Sequence, residues 1–308
     1  EVFQGSTFAD VFFGNNATDD SFKGGAGDDI FAWSSGSDIY DGGAGEDTLY
    51  FVTNGAVPLL GGSLTEGVTV TLNDNDATGV TVSFDGVEVD QTIRGIDNIY
   101  TGAGDDVLTG NVQDNTFVSG AGADTLNGAG GDDYLDAGAG ADDVDGGAGA
   151  DTIIINLGDN AIDSYDGGAD VDTATLQFAG VGALESTVVN METGAVYING
   201  EAGSGDTLAG IENITGSAEN DTFIDAHTTA ADNVYDGAAG TGDRVDYANR
   251  SEDIAVTLNG ATDATVSMDS VDEDTLRNIE DVIAGSGDDT VAGDAADYTI
   301  MGNAGDDT

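Results

Sequence analysis

Residues 24–50 read GGAGDDIFA (24–32), WSSGSDIYD (33–41) and GGAGEDTLY (42–50), three nine-residue units without a break. Each unit has Asp at its sixth position (Asp29, Asp38, Asp47) and a large apolar residue at its eighth (Phe31, Tyr40, Leu49). Glycine permits the turn, and a single inward apolar residue suits a very short strand. Nine residues thus divide into a six-residue turn and a three-residue strand, and two units close a coil of eighteen. Alternate strands then fall into two opposing sheets, stacked at the ~4.8 Å strand spacing. The spacing predicts that Phe31 stacks on Leu49 in one sheet, with Tyr40 facing them from the other.

The unit recurs on both sides of this stretch. Upstream, residues 15–23 keep Asp20 and Phe22 in phase, and residues 5–13 keep Asp10 and Phe12. A longer array of six units runs from Thr101 to Ile154, with Asp106, Asn115, Asp124, Asp133, Asp142 and Asp151 at position six. Its eighth positions are Leu108, Phe117, Leu126, Leu135, Val144 and Ile153. After a slip the phase resumes at Asp163 with Tyr165, and at Asp172 with Ala174. Sparser copies offer Asp221 and, with one insertion, Asp243. A last array begins at Ala284 with Asp289, passes through a unit with Tyr298 where Asp is expected, and reaches Asp307. The chain stops one residue short of that unit's apolar position, so we expect it to be a piece of a longer polypeptide.

Between the arrays lies a second recurring segment. It opens with a Tyr-Asp-Gly signal (Tyr40, Tyr165, Tyr235) and closes with TIRGIDNI (92–99), TLAGIENI (207–214) or TLRNIEDV (275–282). Inside are alternating stretches such as Val68, Val70, Leu72 and Val80, Val82, Phe84, whose period of two argues for half-buried strands. The expected organisation is a repeat array at 1–54, a β-rich excursion at 55–100, an array at 101–174, an excursion at 175–215, degenerate units at 216–250, an excursion at 251–283 and repeat units at 284–308. The fold class is all-β: a parallel β-roll, or β-solenoid, with cation-binding turns and β-rich excursions, forming one continuous elongated solenoid.

Composition raises the question of what stabilises such a roll. There are 60 acidic residues against five Lys+Arg, a formal net charge of −55, and only 12 of the acids are Glu. Asp suits turns and oxygen-ligand metal sites, whereas a helical acidic surface favours Glu. Without neutralising cations, self-repulsion keeps such a chain expanded. Three-residue strands bury too little to be stable alone. One apolar side chain per nine residues contributes ~1.5–3 kcal/mol, less than the ~1–2 kcal/mol lost for each ordered backbone residue. Stacked turns offer the remedy. Their carbonyl oxygens, with two carboxylates eighteen residues apart, supply the six or more oxygens that Ca²⁺ prefers, while Mg²⁺ demands tighter octahedral geometry. The expected pairs are Asp20 with Asp38, Asp29 with Asp47, Asp106 with Asp124, Asp124 with Asp142, Asp133 with Asp151, and Asp289 with Asp307. Asn115, facing Asp133, keeps an oxygen but loses a charge, which predicts a weaker site.

The units GGAGDDIFA, GGAGEDTLY and GGAGADTII resemble the RTX (repeats-in-toxin, hemolysin-type calcium-binding) nonapeptide GGxGxDxUx. The closing motif, as in TLAGIENITGSAENDTF, is similar to segments of very large RTX surface proteins. The resemblance implies a parallel β-roll, type I secretion from Gram-negative bacteria, and folding on reaching calcium outside the cell. It implies sixth-position Asp side chains and turn carbonyls as the ligands of multiple Ca²⁺ ions.

The remaining residues narrow the function. With no Cys and a single histidine, His227, zinc is disfavoured and HExxH is impossible. No GxSxG elbow occurs, and no apolar stretch approaches the ~18 residues of a membrane span. Five basic residues cannot neutralise a nucleic-acid backbone. His227 reads as a loop residue, and Trp33 as a strand-flanking aromatic or a coil-edge contact. The expectation is a non-catalytic, calcium-stabilised structural segment of a large bacterial surface protein, extracellular or on the cell surface: an adhesin stalk, surface-layer component or matrix fibre. The alternative is a calcium-dependent folding or secretion module of a secreted enzyme or toxin. Partners left open are a second copy, through self-association or an end-to-end polymer, and cell-surface or matrix components.

Overall fold

In a computed structural model the described residues are 1–14, 18–51, 66–73, 80–84, 87–159, 161–178, 186–198, 205–225, 232–293 and 298–308. Among them every regular element is a strand, and most are three residues long, as the turn-plus-strand division of the nonad requires. The chain divides into two compact units, Glu1–Ile154 with Gly168–Asp170, and Ile155–Gly167 with Val171–Thr308. Each is a parallel β-roll in its own right.

In the first unit, one sheet stacks Val11–Phe13, Ile30–Ala32, Thr48–Tyr50, Asn98–Tyr100, Thr116–Val118, Tyr134–Asp136 and residues 152–154, all parallel. The facing sheet begins with Val2–Gln4, Ser21–Ala26 and Ile39–Ala44. Register follows the repeat: Phe31 pairs with Leu49, and Phe22 with Tyr40. Tyr40 meets Phe31 edge-on from the other sheet, with ring centroids 6.1 Å apart. From Phe22 onward position eight forms the core of this unit, since Phe22, Phe31, Tyr40, Leu49, Leu108, Phe117, Leu126, Leu135, Val144 and Ile153 are all buried, while Phe12 in the first coil is half-buried.

The excursions are three-stranded meanders set into one sheet. In the first, Val87–Arg94 lies parallel to Ile39–Ala44, with Tyr40 opposite Ile93. Val80–Phe84 runs antiparallel to it, and Val68–Thr71 antiparallel to Val80–Phe84. Val68–Thr71 then lies parallel to Val107–Thr109, the first strand of the next array in that sheet. The chain therefore enters the meander at its far strand and leaves by the strand nearest the preceding coil. Of the alternating positions, Val68, Val70, Leu72 and Val82 are buried, as their period predicts. Trp33 joins the coil to this excursion: its ring lies 5.1 Å from that of Phe84, and its Nε1 donates to Gln91 Oε1 at 2.7 Å.

The second unit repeats the device twice. Residues 164–166 pair with Thr207–Ala209, which is followed by antiparallel Ala195–Ile198 and Thr187–Asn190, the latter parallel to Thr222–Ile224. In the opposing sheet, Val234–Asp236 pairs with Val271–Arg277, then antiparallel Ala264–Met268 and Ile254–Thr257, the last parallel to Thr290–Ala292. Tyr165 faces Leu208 and Tyr235 faces Leu276, so each Tyr-Asp-Gly strand lies against its own closing motif. This unit also buries a polar group between its sheets. Arg250 lies 3.2 Å from Asp225 and 3.6 Å from Glu273, Tyr235 donates to Asp225 at 3.1 Å, and Tyr247 donates to Asp274 at 3.0 Å.

His227 falls outside the described residues, as do parts of the excursions and of the unit containing Tyr298. No helix among the described residues is long and apolar enough to cross a membrane.

Candidate metal centres

The nonad places each sixth-position Asp at the last residue of a turn, directly before the strand. There the side chain turns back under the glycine-rich backbone. Asp20, Asp29, Asp38, Asp47, Asp106, Asn115, Asp124, Asp133, Asp142, Asp151, Asp163, Asp172, Asp221, Asp243 and Asp289 are all buried. Asp10 is half-buried and Asp307 exposed. Burial of so many carboxylates is costly without a compensating partner, by several kcal/mol per ion.

One oxygen of each is accounted for by a ladder between coils. The backbone N–H of Asp20 donates to Asp38 Oδ1, Asp29 to Asp47, Asp106 to Asp124 and Asp124 to Asp142, each at 2.8 Å. Asp133 donates to Asp151 at 2.8 Å, and Asp289 to Asp307 at 3.1 Å. All six expected pairs are therefore adjacent in space. Asp10 N–H reaches Asp29 Oδ1 across the one-residue slip, and Asp221 N–H reaches Asp243 Oδ1 across the insertion.

The second oxygen differs from site to site, and that of Asp124 is among those left open. Asp29, Asp47, Asp133, Asp243 and Asp289 each keep a buried Oδ2 with no hydrogen-bond partner. At Asp38, Asp106, Asp163 and Asp221, by contrast, Oδ2 is engaged from within the fold. Ser34 and Tyr40 hydroxyls donate to Asp38, Thr101 to Asp106, Tyr165 to Asp163, and the Ser217 hydroxyl and N–H to Asp221. Ser6 N–H donates to Asp10. Asn115 is engaged at both ends: its Oδ1 accepts from Asn111 N–H, and its Nδ2 donates to the Asp97 carbonyl.

The open oxygens face a cradle. A Cβ built on Gly24 would stand 1.9 Å from Asp29 Oδ2 and 2.5 Å from the Gly42 carbonyl oxygen. At Gly128 the corresponding distances are 2.1 Å to Asp133 Oδ2 and 2.6 Å to the Gly146 carbonyl. Carboxylate and carbonyl oxygens of successive coils thus converge over a glycine that offers no side chain. Such a donor set, all oxygen and partly anionic, fits a hard divalent cation. Among the described residues no three acidic or imidazole side chains gather to hold an ion by themselves. The backbone must therefore supply a large share of the ligands.

Electrostatics agree with that fit. Burial pushes the carboxyls of Asp47, Asp133 and Asp243 up to about 7 and that of Asp124 up to about 6, against the lowering effect of the backbone N–H each accepts. Asp29, Asp106, Asp221 and Asp289 are raised for the same reason. In the absence of a cation, burial thus works against the charged form of these carboxyls, and a bound cation would offset that cost.

Two sets of residues escaped the sequence reading. Position five carries a second ladder that runs the opposite way. Asp28 Oδ1 accepts from Glu46 N–H, Asp105 from Ala123, Asp114 from Asp132, Asp132 from Ala150, and Asp288 from Asp306. The closing motifs also supply carboxylates. Asp97 Oδ2 accepts from Asp47 N–H at 2.8 Å, Glu212 Oε2 from Asp172 N–H at 3.0 Å, and Glu280 Oε2 from Asp243 N–H at 3.0 Å. The signal was present in the sequence: each lies nine residues before a recognised sixth position, namely Asp106, Asp221 and Asp289.

Comparison with known proteins bears on these sites. A family model described as the RTX calcium-binding nonapeptide repeat matches residues 1–31, 16–49, 93–126, 118–153 and 278–308. No curated protein gives a significant match. Among solved structures, the chain is similar to the crystal structure of extracellular lipase LipA from Serratia marcescens, at 16% identity and a TM-score of 0.23. That alignment covers 91% of this chain and 38% of the lipase.

Proposed function

We propose, from the match of residues 1–49, 93–153 and 278–308 to the RTX calcium-binding nonapeptide repeat, that the chain is a calcium-stabilised structural segment of a large secreted bacterial surface protein. It would serve as an adhesin stalk, a surface-layer component or a matrix fibre, and it would fold on meeting Ca²⁺ outside the cell.

The observation that carries this reading is the row of buried aspartate oxygens without hydrogen-bond partners, with a carbonyl of the adjoining coil close to those of Asp29, Asp47 and Asp133. Asp29, Asp47, Asp133, Asp243 and Asp289 would hold the ions, with turn carbonyls completing the shell. When bound, the ions supply positive charge inside an acidic scaffold. The chain's own residues do the rest: the position-five and position-six ladders fix the turns, and position eight fills the core between the sheets. Where calcium is scarce, the binding free energy is missing and the chain stays unfolded, which suits export; where calcium is millimolar, binding becomes folding free energy. The ions are thereby assigned to folding rather than to a reaction. The recurrence of array plus meander, three times along the chain, supports an extended scaffold.

Pulling single chains from their ends tests the structural role. In millimolar calcium the chain should resist as folded units and lengthen in steps, while in chelator it should extend without features. Featureless extension in both conditions would count against the reading.

A further inference from the structure

We infer that Tyr50 and Tyr100 form a site of oxidative cross-linking, where a one-electron oxidant joins the two rings as dityrosine and locks the first excursion to the coil before it. The inference concerns covalent chemistry on the outer face of the roll, and it rests on the fold rather than on any bound ion.

The pair arises where the excursion interrupts the repeat. The meander is set into one sheet, so in the opposing sheet Thr48–Tyr50 and Asn98–Tyr100 are direct neighbours, with Tyr50 opposite Tyr100. The two tyrosines are fifty residues apart in sequence. Leu49 and Ile99 beside them are buried, so strand alternation turns the position-nine side chains to the outer face. There the ring centroids lie 4.6 Å apart, with the planes 31° from parallel. That is the close end of the ~4.5–7 Å range of aromatic pairs. Both rings are half-buried, which leaves them within reach of solvent, whereas Tyr40, Tyr165, Tyr235 and Tyr247 are sealed in the core.

Placement argues for a dedicated pair. Along this row position nine reads Phe13, Ala32, Tyr50, Tyr100, Val118, Asp136 and Ile154. Tyrosine thus stands at the two strands that flank the excursion, bordered by Ala32 and Val118. At the matching junctions of the other two excursions, Thr175 faces Thr215 and Asp246 faces Ile283. A link between neighbouring strands of an unbroken array would span only one coil. Here it closes a far longer loop, and the entropy removed from the unfolded chain grows with the loop closed.

The chemistry balances with a haem peroxidase and hydrogen peroxide as oxidant. Each phenol gives up one electron and its hydroxyl proton, leaving two phenoxyl radicals side by side. A carbon–carbon bond forms between ring positions ortho to the oxygens. Those two carbons then lose their hydrogens as protons while both phenol O–H groups are restored. In sum two hydrogens leave the chain, and one hydrogen peroxide becomes two waters. Rotation of half-exposed side chains is fast enough to bring the ring edges together without moving the backbone.

The test treats the dilute, calcium-loaded chain with a haem peroxidase and hydrogen peroxide, then maps its peptides by mass spectrometry. Circular dichroism on the same samples reports the fold. The expected product is a linked peptide pair holding Tyr50 and Tyr100, lighter by two hydrogens and carrying dityrosine fluorescence. Tyr50→Phe and Tyr100→Phe should each abolish it and keep the β signal. Tyr134→Phe, at an exposed ring on position seven, should leave it in place. When single chains are pulled in calcium until fully unfolded, the oxidised chain should extend less than the parent by the length of residues 51–99. A folded parent that yields no such peptide, or dityrosine only between chains, overturns the inference. So does an oxidised chain that extends as far as the parent.

Discussion

Asp133 donates its backbone N–H to Asp151 Oδ1 at 2.8 Å while its own Oδ2 stays buried without a hydrogen-bond partner. One side chain therefore stitches two coils with one oxygen and presents the other to the cradle over Gly128. Replacing Asp133 by Asn removes the charge but can keep the amide oxygen in the ladder. We expect Asp133→Asn to lower stability in calcium by ~1.5–3 kcal/mol, the scale of a charge-assisted contact, and to change stability in chelator much less. Urea denaturation in both conditions measures the difference.

Asp38 should behave otherwise. Its Oδ2 already accepts from Ser34 and Tyr40 hydroxyls, at 2.8 and 3.2 Å. Asp38→Asn is expected to shift the calcium midpoint of folding less than Asp29→Asn does. Isothermal titration of the two variants side by side checks this, and equal shifts would remove the distinction between open and engaged sites.

Gly140 tests the backbone of the coil rather than its ions. Its φ is +142°, and a Cβ there would lie 1.5 Å from the Gly122 carbonyl oxygen. Gly140→Ala is expected to cost more than the ~1–3 kcal/mol of a strained backbone, because the neighbouring coil must also shift. The loss should appear in calcium, as a lowered midpoint of thermal unfolding.

Acidity should substitute in part for calcium. The ordinary value for Asp is 3.8, and burial raises Asp47, Asp133 and Asp243 to about 7 in the metal-free fold. The folded state therefore binds more protons than the unfolded one. Their contribution to stability is fully present below the unfolded value and is lost as pH rises through about 7. In chelator, β signal should grow as pH falls from 8 to 4.5. In calcium, affinity should fall over the same range, since proton and cation compete for the same oxygens.

How much of this was legible from sequence depends on which part of the nonad is considered. The pairing of Phe31 with Leu49 and the contacts from Asp20–Asp38 to Asp289–Asp307 follow from counting, because each coil has eighteen residues and each unit one inward side chain. Asp97, Glu212 and Glu280 were harder to see. Their turns replace GGxG with RGI, AGI or RNI, and the six-residue step before them breaks the period. The meanders were visible as alternating strands, but not their order in space, because pairing between distant strands leaves no local mark. The hydroxyls on Asp38, Asp106 and Asp221 were also hidden. Ser and Thr at the start of a unit read as ordinary turn residues, and only the fold shows where they point.

Cations complete this fold, and far-UV circular dichroism at neutral pH is the most direct test of that. The chain should give a coil spectrum in EDTA that converts to β on addition of millimolar Ca²⁺ and reverts when chelator is restored. A full β spectrum in EDTA at neutral pH, unchanged by calcium, would contradict it.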